Sequence, residues 1–143
     1  MTQTRRGGLV AAGVLALAAC QPGVSSAPAP MVDRAAVAAA TSPAELQALG
    51  AQQMDAAQLA TDWVGDTHDA GDWVFTINAD GTWTAAATDG SWSEGPGTWQ
   101  ITDNQFCREG PETTPECQTL YRIGDYIRVS PDGLTLRDWT ITL

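Results

Sequence analysis

Three kinds of side chain in this sequence could do chemistry beyond packing: cysteine, histidine and clustered carboxylates. Two of its three cysteines, Cys107 and Cys117, frame the stretch "FCREGPETTPEC". The single histidine, His68, lies in "VGDTHDAGDW" beside Asp66, Asp69 and Asp72. A cysteine pair at this spacing can ligate a metal, act in catalysis or form a crosslink. A structural zinc site needs two more Cys or His ligands, yet His68 is about 40 residues away and no CxxC or HxxxH accompanies it. A nucleophilic thiol needs a neighbouring base, and neither cysteine has one nearby in sequence. For His68 the chemical reading is a His–carboxylate metal or acid/base site, and the structural one is a polar loop between a helix and the first strand. An EF-hand fails, because the third and fifth positions from Asp66 are His68 and Ala70 and no Glu closes the loop. The loop reading is adopted, with His68 kept as a candidate ligand or partner contact. Glu112 and Glu116 fall between or beside the cysteines, where solvent is expected to surround them. No nucleophile elbow, P-loop, HExxH or dinucleotide fingerprint occurs. No catalytic residue, metal or cofactor is expected.

The role of the cysteine pair depends on the compartment, and the start of the chain speaks to that. "MTQTRRGGLVAAGVLALAAC" has a charged segment ending at Arg5 and Arg6, then an uncharged apolar run over 7–19. These are the n-region and h-region of an export signal. The run is shorter than the roughly 20 apolar residues of a spanning helix. It ends in Leu17-Ala18-Ala19-Cys20, which resembles the lipobox of bacterial lipoproteins. That resemblance implies a diacylglyceryl group on the Cys20 thiol and cleavage before it. Gln21 rather than Asp follows, which by the same resemblance favours the outer membrane. "TRRGGL" resembles a twin-arginine signal only loosely, and general secretion is the expected route. With Cys20 lipidated, Cys107 and Cys117 are left as an even pair in an oxidising compartment, and a disulfide is expected.

The chain has 143 residues, seven Lys plus Arg against 17 Asp plus Glu, and a net charge of −10. Loss of the signal removes two arginines and no acid, leaving a still more negative chain. Nucleic-acid binding is excluded as an expectation, since it needs a basic patch to neutralise phosphates. "QPGVSSAPAP", residues 21–30, reads as a solvated tether. At polyproline extension it would reach roughly 30 Å.

Residues 31–62 are rich in Ala, Gln and Leu. Ser42-Pro43-Ala44-Glu45 has capping-box spacing with Pro at the first helical position, and Asp55 with Gln58 repeats it more weakly. One or two short helices are expected, the first near 33–40, docking through Leu46, Leu49 and Leu59. From Trp63 the texture changes to short strand-like runs separated by turn signals, the pattern of a small sandwich or barrel. Trp73, Phe75 and Ile77 lie on one face of their strand, Trp83 and Ala85 are expected inward, and Trp99 and Ile101 share a face of theirs. Asp80-Gly81, Asp89-Gly90 and Gly124-Asp125 read as turns, and Gly95-Pro96-Gly97 as a break. In the last run Leu134 and Leu136 are out of phase with Trp139, Ile141 and Leu143, so a bulge is expected near Arg137-Asp138. The tryptophans recurring at 63, 73, 83, 92 and 99 read as one bulky core residue per strand rather than an aromatic cage or a carbohydrate platform. Trp92, in "DGSWSEGPG", is the exception: it is expected to be exposed and to contact a ligand or partner.

Residues 54–143 resemble small exported lipocalin-like domains of Gram-negative bacteria. The matching features are "VGDT" (64–67), the Phe75 to Trp83 strand-turn, "GTW" (97–99), Cys107 with Cys117, and Asp132-Gly133. The resemblance implies a small antiparallel barrel and no assigned activity. A more distant likeness is to barrel-type metalloprotease-inhibitor lipoproteins.

The sequence thus predicts a signal peptide at 1–19, a lipidated cysteine and tether at 20–30, a short helical region at 31–62 and a β-barrel domain at 63–143. The barrel is expected to be a mainly β, up-and-down antiparallel barrel or curled sheet of seven or eight short strands. The expected protein is a non-catalytic binding or structural lipoprotein of the cell envelope, anchored in the outer membrane and facing the periplasm. Its partner is expected to be another envelope protein. The alternatives are a small apolar ligand held in the barrel, or a protease.

Overall fold

The computed structural model describes residues 31–111 and 114–143. The predicted signal peptide, Cys20, the tether and Glu112 lie outside the described residues.

Nine strands are described: β1 (Gln52–Gln53), β2 (Thr67–Asp69), β3 (Trp73–Ile77), β4 (Thr82–Ala87), β5 (Ser93–Thr102), β6 (Gln105–Glu109), β7 (Glu116–Ile123), β8 (Tyr126–Ser130) and β9 (Ile141–Thr142). From β2 to β9 each strand pairs antiparallel with the next, and β9 returns to β2. The result is a closed eight-stranded up-and-down barrel, with β1 added where β7 runs beyond β6. The closing seam is short, since β9 has two residues and meets β2 through the single pair Asp69 and Thr142.

Alternation positions the core. Phe75, Ile77, Trp83, Ala85, Phe106, Leu120, Ile127, Val129 and Ile141 point inward and are buried, with Trp99 and Ile101 half-buried beside them. Eight strands enclose a space that side chains can fill, and here they fill it.

Three helices are described rather than one or two: α1 (Arg34–Ala39), α2 (Pro43–Ala48) and α3 (Ala56–Asp62). Asp55 and Gln58 make the complete capping box of α3, both halves bonded. Glu45 instead reaches past Ser42 to the backbone N–H and hydroxyl of Thr41, at 2.8 and 3.0 Å. Helix α3 closes one end of the barrel, burying Leu59 and Trp63 against the core cluster. Its first N–H donates to Asn104 in the β5–β6 turn. Helices α1 and α2 cover the outer face of β7 and β8, where Val37, Ala40, Leu46 and Ala51 meet Tyr121 and Ile123. Leu49 does not dock: it caps the end of α2 and is 45% exposed, and Ala51 after the Gly50 turn takes its place in the core.

Two strand expectations need correction. Gly95-Pro96-Gly97 does not break the chain but lies within β5, where the β4–β5 register shifts between Trp83 and Ala85. Gly95 at φ +100° takes the strained position of this bulge. No bulged strand spans Arg137-Asp138. Residues 131–140 form an irregular connection, and only Ile141–Thr142 pairs. That connection solves the phase conflict differently: Leu136 packs on the outer helical cluster, and Trp139 turns toward the inner one. The cysteines lie in β6 and β7.

Cys107 and Cys117 are bonded and face each other directly across β6 and β7. The bridge closes a loop of about 11 residues, a contribution of about 2.8 kcal/mol on the chain-entropy argument. The Cys107→Ser/Cys117→Ser variant is expected to lose about that much stability in urea unfolding. An unchanged midpoint would mean that β6–β7 pairing alone holds the loop.

Candidate functional site

The end of the barrel opposite α3 is formed by the start of β3, the end of β4, the start of β5, the end of β6, the start of β7 and the connection 131–140. Three tryptophans gather there. Trp73, first residue of β3, lies 5.1 Å from Trp139 between ring centroids, at 87°, and 6.4 Å from Trp92 at 45°. Perpendicular packing of this kind matches the positive edge of one indole to the negative face of another. Trp92 is 45% exposed, as expected from its polar context. With Ala85 and Glu94 the three line a recess of about 190 Å³, which Arg108 and Arg137 complete.

The arginines are set by register. Arg108 pairs opposite Trp99 on β5 and shares the inner face with Phe106. Its guanidinium sits 4.9 Å above the Trp83 ring and 5.5 Å above that of Phe75, so a cation rests on the aromatic core. Glu116, opposite Arg108 across β6–β7, accepts from it at 3.5 Å and also from Arg137. These pairs are partly exposed, and such pairs contribute little stability. Their effect is to hold two planar donors at the rim. Glu94 sits opposite Ala85 in the β4–β5 register and has no ion-pair or hydrogen-bond partner among the described residues. Glu116 therefore departs from its expected solvated setting. Only its pairing across the strands, invisible without the fold, reveals the bridge.

His68 is not at this mouth, and it is not in a loop. It occupies the middle of β2 and is 2% exposed. Its ring stacks on Trp63 at 4.0 Å and 9°, with Nε2 2.7 Å from the Trp63 carbonyl oxygen. A carbonyl can only accept, so Nε2 carries the proton. Asp69 turns to the Gly71 N–H instead. Among the described residues no group of three His, Cys, Asp or Glu side chains is placed to hold a metal.

Burial lowers the His68 pKa, against the Trp63 hydrogen bond and the Asp66 charge, which raise it. The folded protein therefore holds His68 neutral below the pH at which the unfolded chain protonates it. Stability is expected to be fully present above pH 6.5 and to decline as pH falls from there toward the folded pKa. Denaturant midpoints from pH 7.5 to 5 should show this slope in the native chain and lose it in His68→Gln. An equal slope in both would assign it to another group.

Four of the groups at the mouth were missed in the sequence: Glu94, Arg108, Arg137 and Trp139. One of them left a signal, because Arg108 is two residues from Phe106 and in a strand must share its face.

A closed eight-stranded antiparallel barrel of this size is consistent with a lipocalin-like fold. Comparisons with family models, curated proteins and solved structures find no match, so the functional reading rests on the chain's own geometry.

Proposed function

We propose that this chain is a non-catalytic binding module of the bacterial cell envelope, anchored through lipid on Cys20 and engaging its partner at the barrel mouth. The observation that carries the mouth is the cluster of Trp73, Trp92 and Trp139 at the open end, with Trp92 45% exposed. An exposed aromatic backed by two others, with planar charged groups around it, has the composition of a recognition surface. The lipobox supports the address. The absence of a nucleophile–base pair in the sequence motifs, together with a histidine stacked in the core, supports the non-catalytic reading.

An apolar ligand inside the barrel is disfavoured, because Trp63, Trp83, Phe106 and Ile127 fill that space. Inhibition of a protease by an N-terminal arm is disfavoured as well, since α1, α2 and α3 already bury side chains on the barrel itself.

Native mass spectrometry of the lipidated protein, gently extracted from its own membrane, tests both halves. The acyl mass is expected on Cys20, with a bound mass that Trp92→Ala loses. An unmodified Cys20 would remove the address, and a bound mass that persists in Trp92→Ala would remove the mouth.

A further inference from the structure

We propose that the mouth recess binds a neutral sugar ring, with the rest of a short glycan running out over Trp92; this rests on the mouth being the binding surface. Size is the first reason. A recess of about 190 Å³ is below the roughly 300–1,000 Å³ of sites that enclose drug-sized molecules. It suits one ring that stays partly in solvent, because the filled core below admits nothing deeper.

The walls give the second reason. Trp73 and Trp139 both line the recess and stand at 87°, so its aromatic walls meet near a right angle. A pyranose presents C–H bonds polarised by adjacent oxygens, which are drawn to the negative face of an indole. Trp92, tilted against Trp73 and 45% exposed, provides a further face outside the recess.

The rim gives the third. Arg108 and Arg137 share Glu116, and Glu94 lines the same recess. Two guanidiniums and two carboxylates sum to no net charge. An anion would have to compete with Glu116 for both guanidiniums, meet Glu94 and approach a chain of charge −10. A cation would meet the two arginines. A purely apolar ligand would desolvate Glu94 with nothing to pair it. A hydroxyl donates one hydrogen bond and accepts two. Vicinal hydroxyls can therefore accept from the planar guanidinium forks and donate to Glu94 in the same pose.

The test is an NMR titration of the lipidated, disulfide-intact protein in a detergent without a sugar head group, observing the tryptophan indole N–H signals. The probes are cellotetraose, maltotetraose and chitotetraose, with glucose, a galacturonate tetramer and an apolar tetrapeptide for comparison. At least one neutral tetrasaccharide is expected to shift the Trp73, Trp92 and Trp139 signals saturably, and about tenfold more tightly than glucose. Trp92→Ala is expected to weaken that binding about tenfold or more, and Glu94→Gln to weaken it with melting unchanged. If all three neutral tetrasaccharides leave the indoles unmoved up to about 20 mM, the sugar inference fails. If only the galacturonate tetramer or the peptide moves them, the mouth stands as a binding surface and the sugar class is overturned. If nothing moves them while a co-purified partner survives Trp92→Ala, both fall.

Discussion

Replacing Gly97 by alanine is expected to destabilise the barrel by about 3 kcal/mol, the upper range for overpacking a filled core. A Cβ built at Gly97 would lie 2.3 Å from Nε1 and 2.5 Å from Cε2 of Trp83, and 2.4 Å from the carbonyl oxygen of Glu109. Neither obstacle can give way cheaply. Trp83 is 1% exposed, and its Nε1 donates to that same Glu109 oxygen at 3.1 Å. Either the indole rotates and loses its acceptor, or β5 parts from β6. Gly97 is needed for space and not for its backbone conformation, unlike Gly81, which has φ +89° and nothing within 4 Å of a built Cβ. Gly81→Ala should therefore cost only about 1 kcal/mol, the penalty of the left-handed conformation. Urea unfolding of both variants decides the matter. If Gly97→Ala is no worse than Gly81→Ala, the close approach of Trp83 is not what makes glycine necessary.

The second large effect is expected at Arg128. Its side chain lies on the outer face of β8 beneath α1, and the residue is 2% exposed. Its guanidinium donates to the carbonyl oxygens of Val37, of Ala38 and Ala40 at 3.1 Å, and of Arg137 at 2.6 Å. The first three end α1, where carbonyls lack helical partners and the helix dipole favours a cation. The fourth belongs to the connection 131–140, so one side chain ties two segments to the barrel wall. Burial pushes the Arg128 pKa down, against the Asp138 charge. Arg128→Met keeps the length and removes the donors, leaving buried carbonyls unpartnered. A loss of about 3–5 kcal/mol is expected. Arg128→Lys should fall between, since one ammonium cannot reach four carbonyls in a plane. Hydrogen exchange should show protection lost first in residues 34–41 and 136–137. Uniform loss across the barrel strands would mean that Arg128 supports the sheet rather than these two segments.

The legible parts of the fold were the local ones. Alternation over Trp73, Phe75 and Ile77 and over Trp83 and Ala85 placed those side chains inward, because period 2 is a property of a strand on its own. Glycine marked the turns at Asp80-Gly81 and Asp89-Gly90. The β5–β6 turn had no such marker: Asp103 and Asn104 sit at φ 50° and 60° without any glycine. These two residue types tolerate that conformation, but their presence alone does not announce it. The rest depended on contacts between distant segments. Arg128 alternates with Ile127 and Val129 and so reads as a solvated strand residue. Its carbonyl partners on α1 lie about 90 residues earlier. The mouth was hidden for a similar reason. Trp92 and its exposure were readable, whereas Trp139 and Arg137 join it only through barrel closure and an irregular connection. His68 misled because the acids around it suggested a polar loop, while Trp63 offered its ring a stacking partner in the core.

Val32 packs beside Gly124, in the β7–β8 turn at the end closed by α3. The chain therefore joins the barrel at one pole, and the tryptophans gather at the other. A contact made at the aromatic pole therefore leaves Val32 and the β7–β8 turn undisturbed.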